Sequence, residues 1–147
     1  MRKPVNIELV PDFIRMFHEV GLQVTAFFII GYPDETLEDI AQTREFIFGN
    51  DFDFVGVSIY QPLPGTDIYN RLVLANVIPR GFIPGHYQEV TYRRPNIDSE
   101  VLCRVYNDIW NGYREFKKLP ILNRSVARIR NDMVISSLAE GGSPWTK

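Results

Sequence analysis

The chain has 147 residues, 45% apolar and 23% charged, which suits one domain with its own core and argues against wholesale disorder. Its formal net charge of −2 gives no global attraction for nucleic acid or an anionic membrane. A single cysteine, Cys103, excludes an internal disulfide and any metal or iron–sulfur site built from this chain's thiolates alone.

Met1-Arg2-Lys3 is basic, but no apolar run of a secretory leader's length, about 7–15 residues, follows before Pro11. The longest apolar run, 24–30, falls well short of the ~20 residues that cross a bilayer. The expected compartment is the cytoplasm, with no membrane partner.

Residues 8–21 predict a helix. Pro11 suits its first turn, Val10, Phe13, Ile14, Phe17 and Val20 recur at helical spacing, and Gly21 supplies a left-handed cap. Residues 24–30 form a short apolar run without clear alternation, the pattern of a parallel strand covered on both faces. Gly31-Tyr32-Pro33-Asp34 stops it, and Thr36-Leu37-Glu38-Asp39 has the form of a capping box opening a second helix. Residues 55–60 are rich in β-branched side chains and read as a second strand, with Gly56 leaving room on one face for a neighbour or a ligand. Pro62-Leu63-Pro64-Gly65 ends that strand, and Thr66 caps a helix over about 67–76.

Residues 77–97, rich in Pro, Gly and Tyr, predict an irregular loop of lid or binding-loop length. A long amphipathic helix then opens at Asp98 or Ser99 and ends before Pro120. Leu122, Val126, Ile129 and Met133 suggest a last helix, so 98–139 reads as a helical extension and 140–147 as a frayed tail. Two parallel strands are too few to hide their faces and edges, so the 1–76 portion reads as a piece of a larger sheet.

Two segments carry a family signal. The first is Phe28-Ile29-Ile30-Gly31-Tyr32-Pro33-Asp34-Glu35-Thr36, and the second is Ser58-Ile59-Tyr60-Gln61-Pro62-Leu63-Pro64-Gly65-Thr66, followed by Tyr69. Together, in order and at this spacing, they resemble the second half of the radical S-adenosylmethionine (SAM) domain, nearest to the branch that often carries a cobalamin-binding domain upstream. The resemblance covers about residues 8–76. It implies an α/β fold: a partial (β/α) barrel of parallel strands with flanking helices, plus the C-terminal helical extension. It also implies that the chain contributes part of the SAM adenosyl pocket at two neighbouring strand ends, through Ile29, Ile30, Gly31, Tyr60, Gln61, Pro62 and Leu63. The physics fits, because ligands of such barrels gather at the C-terminal ends of strands, where glycine admits close backbone approach.

The departures are equally specific. The family holds three irons of a [4Fe–4S] cluster on a Cys-x₃-Cys-x₂-Cys loop, which this sequence lacks, and Asp34 stands where the usual turn has Gly. The resemblance therefore implies a parent enzyme with SAM, a cluster and, in that branch, cobalamin, while this chain ligates no metal and is inactive alone. The implied partner is the other half of the barrel or a cysteine-bearing subunit. The competing reading is a non-catalytic assembly module that self-associates through its open sheet edges. A phosphate-binding fold finds no glycine-rich loop to support it.

The remaining chemistry-bearing residues read as structural. Glu35 and Thr36 serve the turn. His18 and His86 lack companion ligands at metal spacing, and Cys103 beside Leu102 reads as a small buried hydrophobe. The basic run from Arg114 to Arg130 reads as a solvated face rather than a nucleic-acid site, because no aromatic residues interleave with its later charges.

Overall fold

The computed structural model describes residues 6–119 and 127–134. A 3₁₀ turn, Ile7–Leu9, leads into α1 (Val10–Glu19), β1 (Thr25–Ile30), α2 (Leu37–Gly49), β2 (Phe54–Ile59), α3 (Asp67–Leu74), β3 (Glu89–Tyr92), α4 (Ser99–Phe116) and β4 (Arg128–Val134). From β1 onward, strand and helix alternate strictly, the sequence of a parallel α/β fold. β1 pairs parallel with β2, and β3 pairs parallel with β4, in two separate two-stranded sheets. The closed ring of a barrel is absent among the described residues.

The local signals act as their chemistry dictates. Thr36 and Asp39 form a reciprocal capping box on α2, and the Thr66 hydroxyl accepts from the Tyr69 amide to cap α3. Gly21 takes φ +76°, and its amide and that of Leu22 return to His18 and Phe17 at the end of α1. The last amide of the β1–β2 ladder is that of Tyr60, which donates to the Ile30 carbonyl at 2.8 Å.

One face of the β1–β2 pair carries the core. Ile30, Val57 and Ile59 are buried against Ile40 and Ile47 of α2 and Leu102, Tyr106 and Ile109 of α4. A second cluster joins Tyr69 and Leu72 of α3 to Val77, Ile78, Phe82 and Tyr92. Among the described residues no helix is long and apolar enough to cross a membrane.

Three expectations are corrected. First, β1 is covered on one face rather than two. Thr25, Phe27 and Ile29 are exposed while Ala26, Phe28 and Ile30 turn inward, and Phe54 is exposed on the same bare face as its partner Thr25. The α1 stripe is bare too: only Ile14 is buried, and Phe13, Phe17 and Val20 are exposed.

Second, residues 77–97 are not irregular throughout. They contain β3, whose Val90, Thr91 and Tyr92 are all buried. Four strand residues fall among Gly81, Pro84, Gly85 and Pro95, whose turn chemistry dominates the local composition.

Third, the last helix is replaced over its described part by β4. Ile129 pairs with Val90, and Ala127 and Ile129 turn inward while Arg128 is exposed. A spacing of four, as between Ile129 and Met133, fits either period when the run is short, and here the open parallel edge of β3 decided it. The rest of that predicted helix and the 140–147 tail lie outside the described residues.

Candidate functional site

The two motif-bearing turns lie side by side at the C-terminal ends of adjacent strands, because Ile30 and Ile59 are register partners. In the first turn Gly31 takes φ +78°. The Glu35 carboxylate folds back to accept from the backbone amides of Gly31 and, at 3.1 Å, Tyr32. Burial pushes the Glu35 carboxyl above the ordinary carboxylate range, against the pull of those two amides. Its work is to close the turn, as its position beside the capping box suggested. Asp34 reaches Arg71 of α3 at 3.6 Å, linking this turn to the helix beyond the second one.

The second turn is braced differently. The Thr66 hydroxyl donates to the Leu63 carbonyl at 2.8 Å. The Gln61 side chain spends itself on residues 85–91. Its Nε2 donates to the carbonyls of Glu89 at 2.7 Å and His86 at 3.2 Å, and its Oε1 accepts from the Gly85 amide and the Thr91 hydroxyl. One backbone bond, from the Ile59 amide to the Tyr87 carbonyl at 2.7 Å, runs alongside. Gln61 thus stands in for the ladder that β2 and β3 do not form.

Between the turns, the rings of Tyr32 and Tyr60 stack with centroids 4.5 Å apart. Burial raises both phenols above their ordinary value, and pushes that of Tyr92 up to about 12. All three stay protonated at neutral pH. What the arrangement offers a ligand is shape, stacking and backbone hydrogen bonds, not proton transfer.

The seven residues singled out by sequence divide accordingly. Ile29 and Leu63 are exposed, and Tyr60 is half-buried beside them. Gln61 is half-buried with its amide engaged. The Ile30 side chain is enclosed in the core, and Pro62 is buried. Gly31 is buried as well, and the space its missing Cβ leaves is filled: a Cβ there would meet Leu102 Cδ2 at 2.9 Å and Arg94 Nε at 3.1 Å. The close approach that Gly31 permits is to a side chain of this protein.

Arg94 is the residue the sequence reading missed. It is 4% exposed, and its guanidinium donates to the Gly31 carbonyl at 2.5 Å, the Tyr60 carbonyl at 3.0 Å and the Tyr92 carbonyl at 3.2 Å. It also lies over the Tyr92 ring, 4.2 Å from its centroid. A signal was present: the pair Arg93-Arg94 directly after a short strand of buried type. It becomes visible only once 89–92 is read as a strand.

A [4Fe–4S] cluster does not fit the residues present. Cys103 is the chain's one cysteine, it is buried, and burial pushes its thiol pKa up, away from the thiolate a cluster needs. No group of three or more metal-ligating side chains occurs among the described residues.

Comparison with known proteins gives a consistent picture over part of the chain. It is 38% identical over 68 residues to a putative methylthiotransferase of Methanocaldococcus jannaschii, covering 46% of this chain and 15% of that protein. It is 34% identical over 91 residues to the ribosomal protein uS12 methylthiotransferase of Cupriavidus metallidurans, covering 60% and 18%. It is 43% identical over 63 residues to the tRNA-2-methylthio-N(6)-dimethylallyladenosine synthase of Baumannia cicadellinicola, covering 42% and 14%. The chain therefore spans less than a fifth of the length of these relatives. No family model matches it, and no solved structure matches it significantly.

Proposed function

We propose that the chain is a late portion of a radical SAM barrel of methylthiotransferase type, and that its two strand-end turns supply part of the wall facing the adenosyl group of SAM. The observation that carries this reading is the juxtaposition of the Gly31 and Tyr60–Leu63 turns at one end of two in-register parallel strands, in a chain whose relatives are methylthiotransferases. The names of those relatives favour methylthio transfer over the cobalamin-associated branch. When bound, a cluster and SAM would supply the radical chemistry. This chain's residues would hold and orient the nucleoside, with Ile29, Tyr60 and Leu63 the side chains free to touch it and the backbone at Gln61 and Pro62 the polar edge beside them.

The bare face of β1 and β2 favours a partner as part of the same reading. Phe27 is 83% exposed, Ile29 and Phe54 are exposed beside it, and among the described residues β1 pairs with β2 alone. Among the described residues, helices cover one face of this parallel pair and nothing covers the other, which suits the wall of a barrel whose remaining strands, with the cluster cysteines, come from elsewhere. A second copy of the chain on that face is the alternative, and light scattering separates the two: a concentration-dependent dimer favours the second copy.

Titration of S-adenosylhomocysteine into the chain, followed by NMR, tests the site. Shifts clustered at Ile29, Tyr60 and Leu63 are expected. No shifts at millimolar ligand, or shifts confined to other surfaces, would refute it.

A further inference from the structure

Backbone pairing brings the candidate turns side by side but stops at their base. The β1–β2 ladder ends with the Tyr60 amide, and β2 and β3 belong to different sheets. Beyond that point Arg94 is the side chain that bonds all three strand ends at once. Its three carbonyl acceptors, on Gly31, Tyr60 and Tyr92, belong to the ends of three different strands. Among the described residues no carboxylate forms an ion pair with it. A buried cation satisfied by carbonyl dipoles is a costly way to fill space, and an apolar side chain would pack against Leu102 without that penalty. What the guanidinium adds is a rigid planar fork with donors at fixed angles, which neither an apolar chain nor a lysine provides. Gly31 is matched to it, since a Cβ there would crowd Arg94 Nε.

We infer that Arg94 is a positioning residue for the candidate site, holding the ends of β1, β2 and β3 together and so setting the gap between the Gly31 turn and the Tyr60–Leu63 corner. The clamp itself stands on geometry, and its bearing on a nucleoside rests on the proposed function.

The test uses the 147-residue chain with Arg94→Met and Arg94→Lys. The first readout needs no ligand: the nuclear Overhauser contacts between the stacked Tyr32 and Tyr60 rings. The second is the affinity for S-adenosylhomocysteine. Arg94→Met should keep the methyl resonances of Ile40 and Ile47 in place, lose the ring contacts, and weaken nucleoside binding by about tenfold or more, the scale of one lost set of charge-assisted hydrogen bonds. Arg94→Lys, with its charge but no fork, should lose the ring contacts in part.

Wild-type ring contacts and wild-type affinity in Arg94→Met would overturn the inference. If Arg94→Met does not fold, Arg94→Lys decides: wild-type behaviour in both readouts overturns it, and so does loss of the fold in both variants. Lost ring contacts in a chain whose wild type binds no nucleoside would uphold the clamp and remove the ligand reading instead.

Discussion

Phe27 lies against Gly56, its register partner across the parallel pair: a Cβ built at position 56 would sit 2.6 Å from the Phe27 ring. The small residue lets a large ring lie along the bare face of the sheet instead of standing off it. The room that Gly56 leaves on that face is occupied by Phe27.

Gly56→Ala should therefore lift Phe27 without disturbing the core. The ring is 83% exposed, so the displacement costs little, and denaturant melts should show a stability change within about 0.5 kcal/mol. The contour of the bare face changes much more. Association through that face, followed by light scattering against concentration or by binding of a cysteine-bearing half-barrel, should weaken. Unchanged association would place the interface elsewhere.

Glu35 sets a pH dependence whose sign follows from its environment. Burial raises its pKa above the ordinary 4.5, so its contribution to stability is greatest below that value and is lost as pH rises through the folded value. Glu35→Gln keeps an oxygen to accept from the Gly31 and Tyr32 amides and removes the buried charge. Wild type and variant should be closest in stability at acid pH, and the variant should gain on the wild type as pH rises from about 4.5. Asp39, Asp53 and Glu89 are shifted the other way, but both proteins share them, so the difference curve isolates Glu35. A difference curve flat in pH would show that the carboxyl is not desolvated.

Gln61 joins β2 to the segment leading into β3, and its orientation matters as much as its presence. Nε2 faces two carbonyls, while Oε1 faces an amide and a hydroxyl. Gln61→Leu removes these four bonds, and the long one from Nε2 to the Ile59 carbonyl, at similar volume. Gln61→Glu goes further by turning an acceptor oxygen toward the carbonyls of Glu89 and His86. Both should speed hydrogen exchange at the Gly85 amide, with the Glu variant the less stable by about 1–3 kcal/mol, the cost of unsatisfied buried polar groups. Equal exchange in wild type and Gln61→Leu would show that the Ile59–Tyr87 backbone bond suffices alone.

The elements that sequence made legible are those with a local cause. The Thr36–Asp39 box, the Thr66 cap, Gly21 and the two strands ending in glycine and proline turns each announce themselves within a few residues. β3 and β4 do not. Glu89–Tyr92 is short and surrounded by turn formers, and Arg128–Val134 carries apolar residues at a spacing that also fits a helix. Each strand exists because the other offers an edge about forty residues away. The site shows the same division. The two turns could be placed from their motifs, whereas Arg94, which ties them together, lies 63 residues from Gly31 in the chain. The burial of Ile30 and Pro62 likewise depends on where helices and loops pack, which strand-end motifs do not encode.

Two buried tyrosines give paired predictions of opposite sign. Tyr113, 1% exposed on α4, donates to the Phe52 carbonyl at 2.5 Å and pins the helix to the chain entering β2. Tyr92 is fully buried on β3, and its hydroxyl has no hydrogen-bond partner among the described residues. Tyr113→Phe strands a buried carbonyl and should cost about 1–3 kcal/mol, whereas Tyr92→Phe deletes a hydroxyl that gains nothing from burial and should leave stability unchanged or raise it. The aromatic packing is kept in both, so the hydroxyl is the only variable. Denaturant melts at neutral pH suffice, since both phenols, pushed up to about 12, are uncharged there. A Tyr92→Phe loss as large as that of Tyr113→Phe would mean that the Tyr92 hydroxyl has a partner in solution, most simply a water held between β3 and the Tyr60 turn.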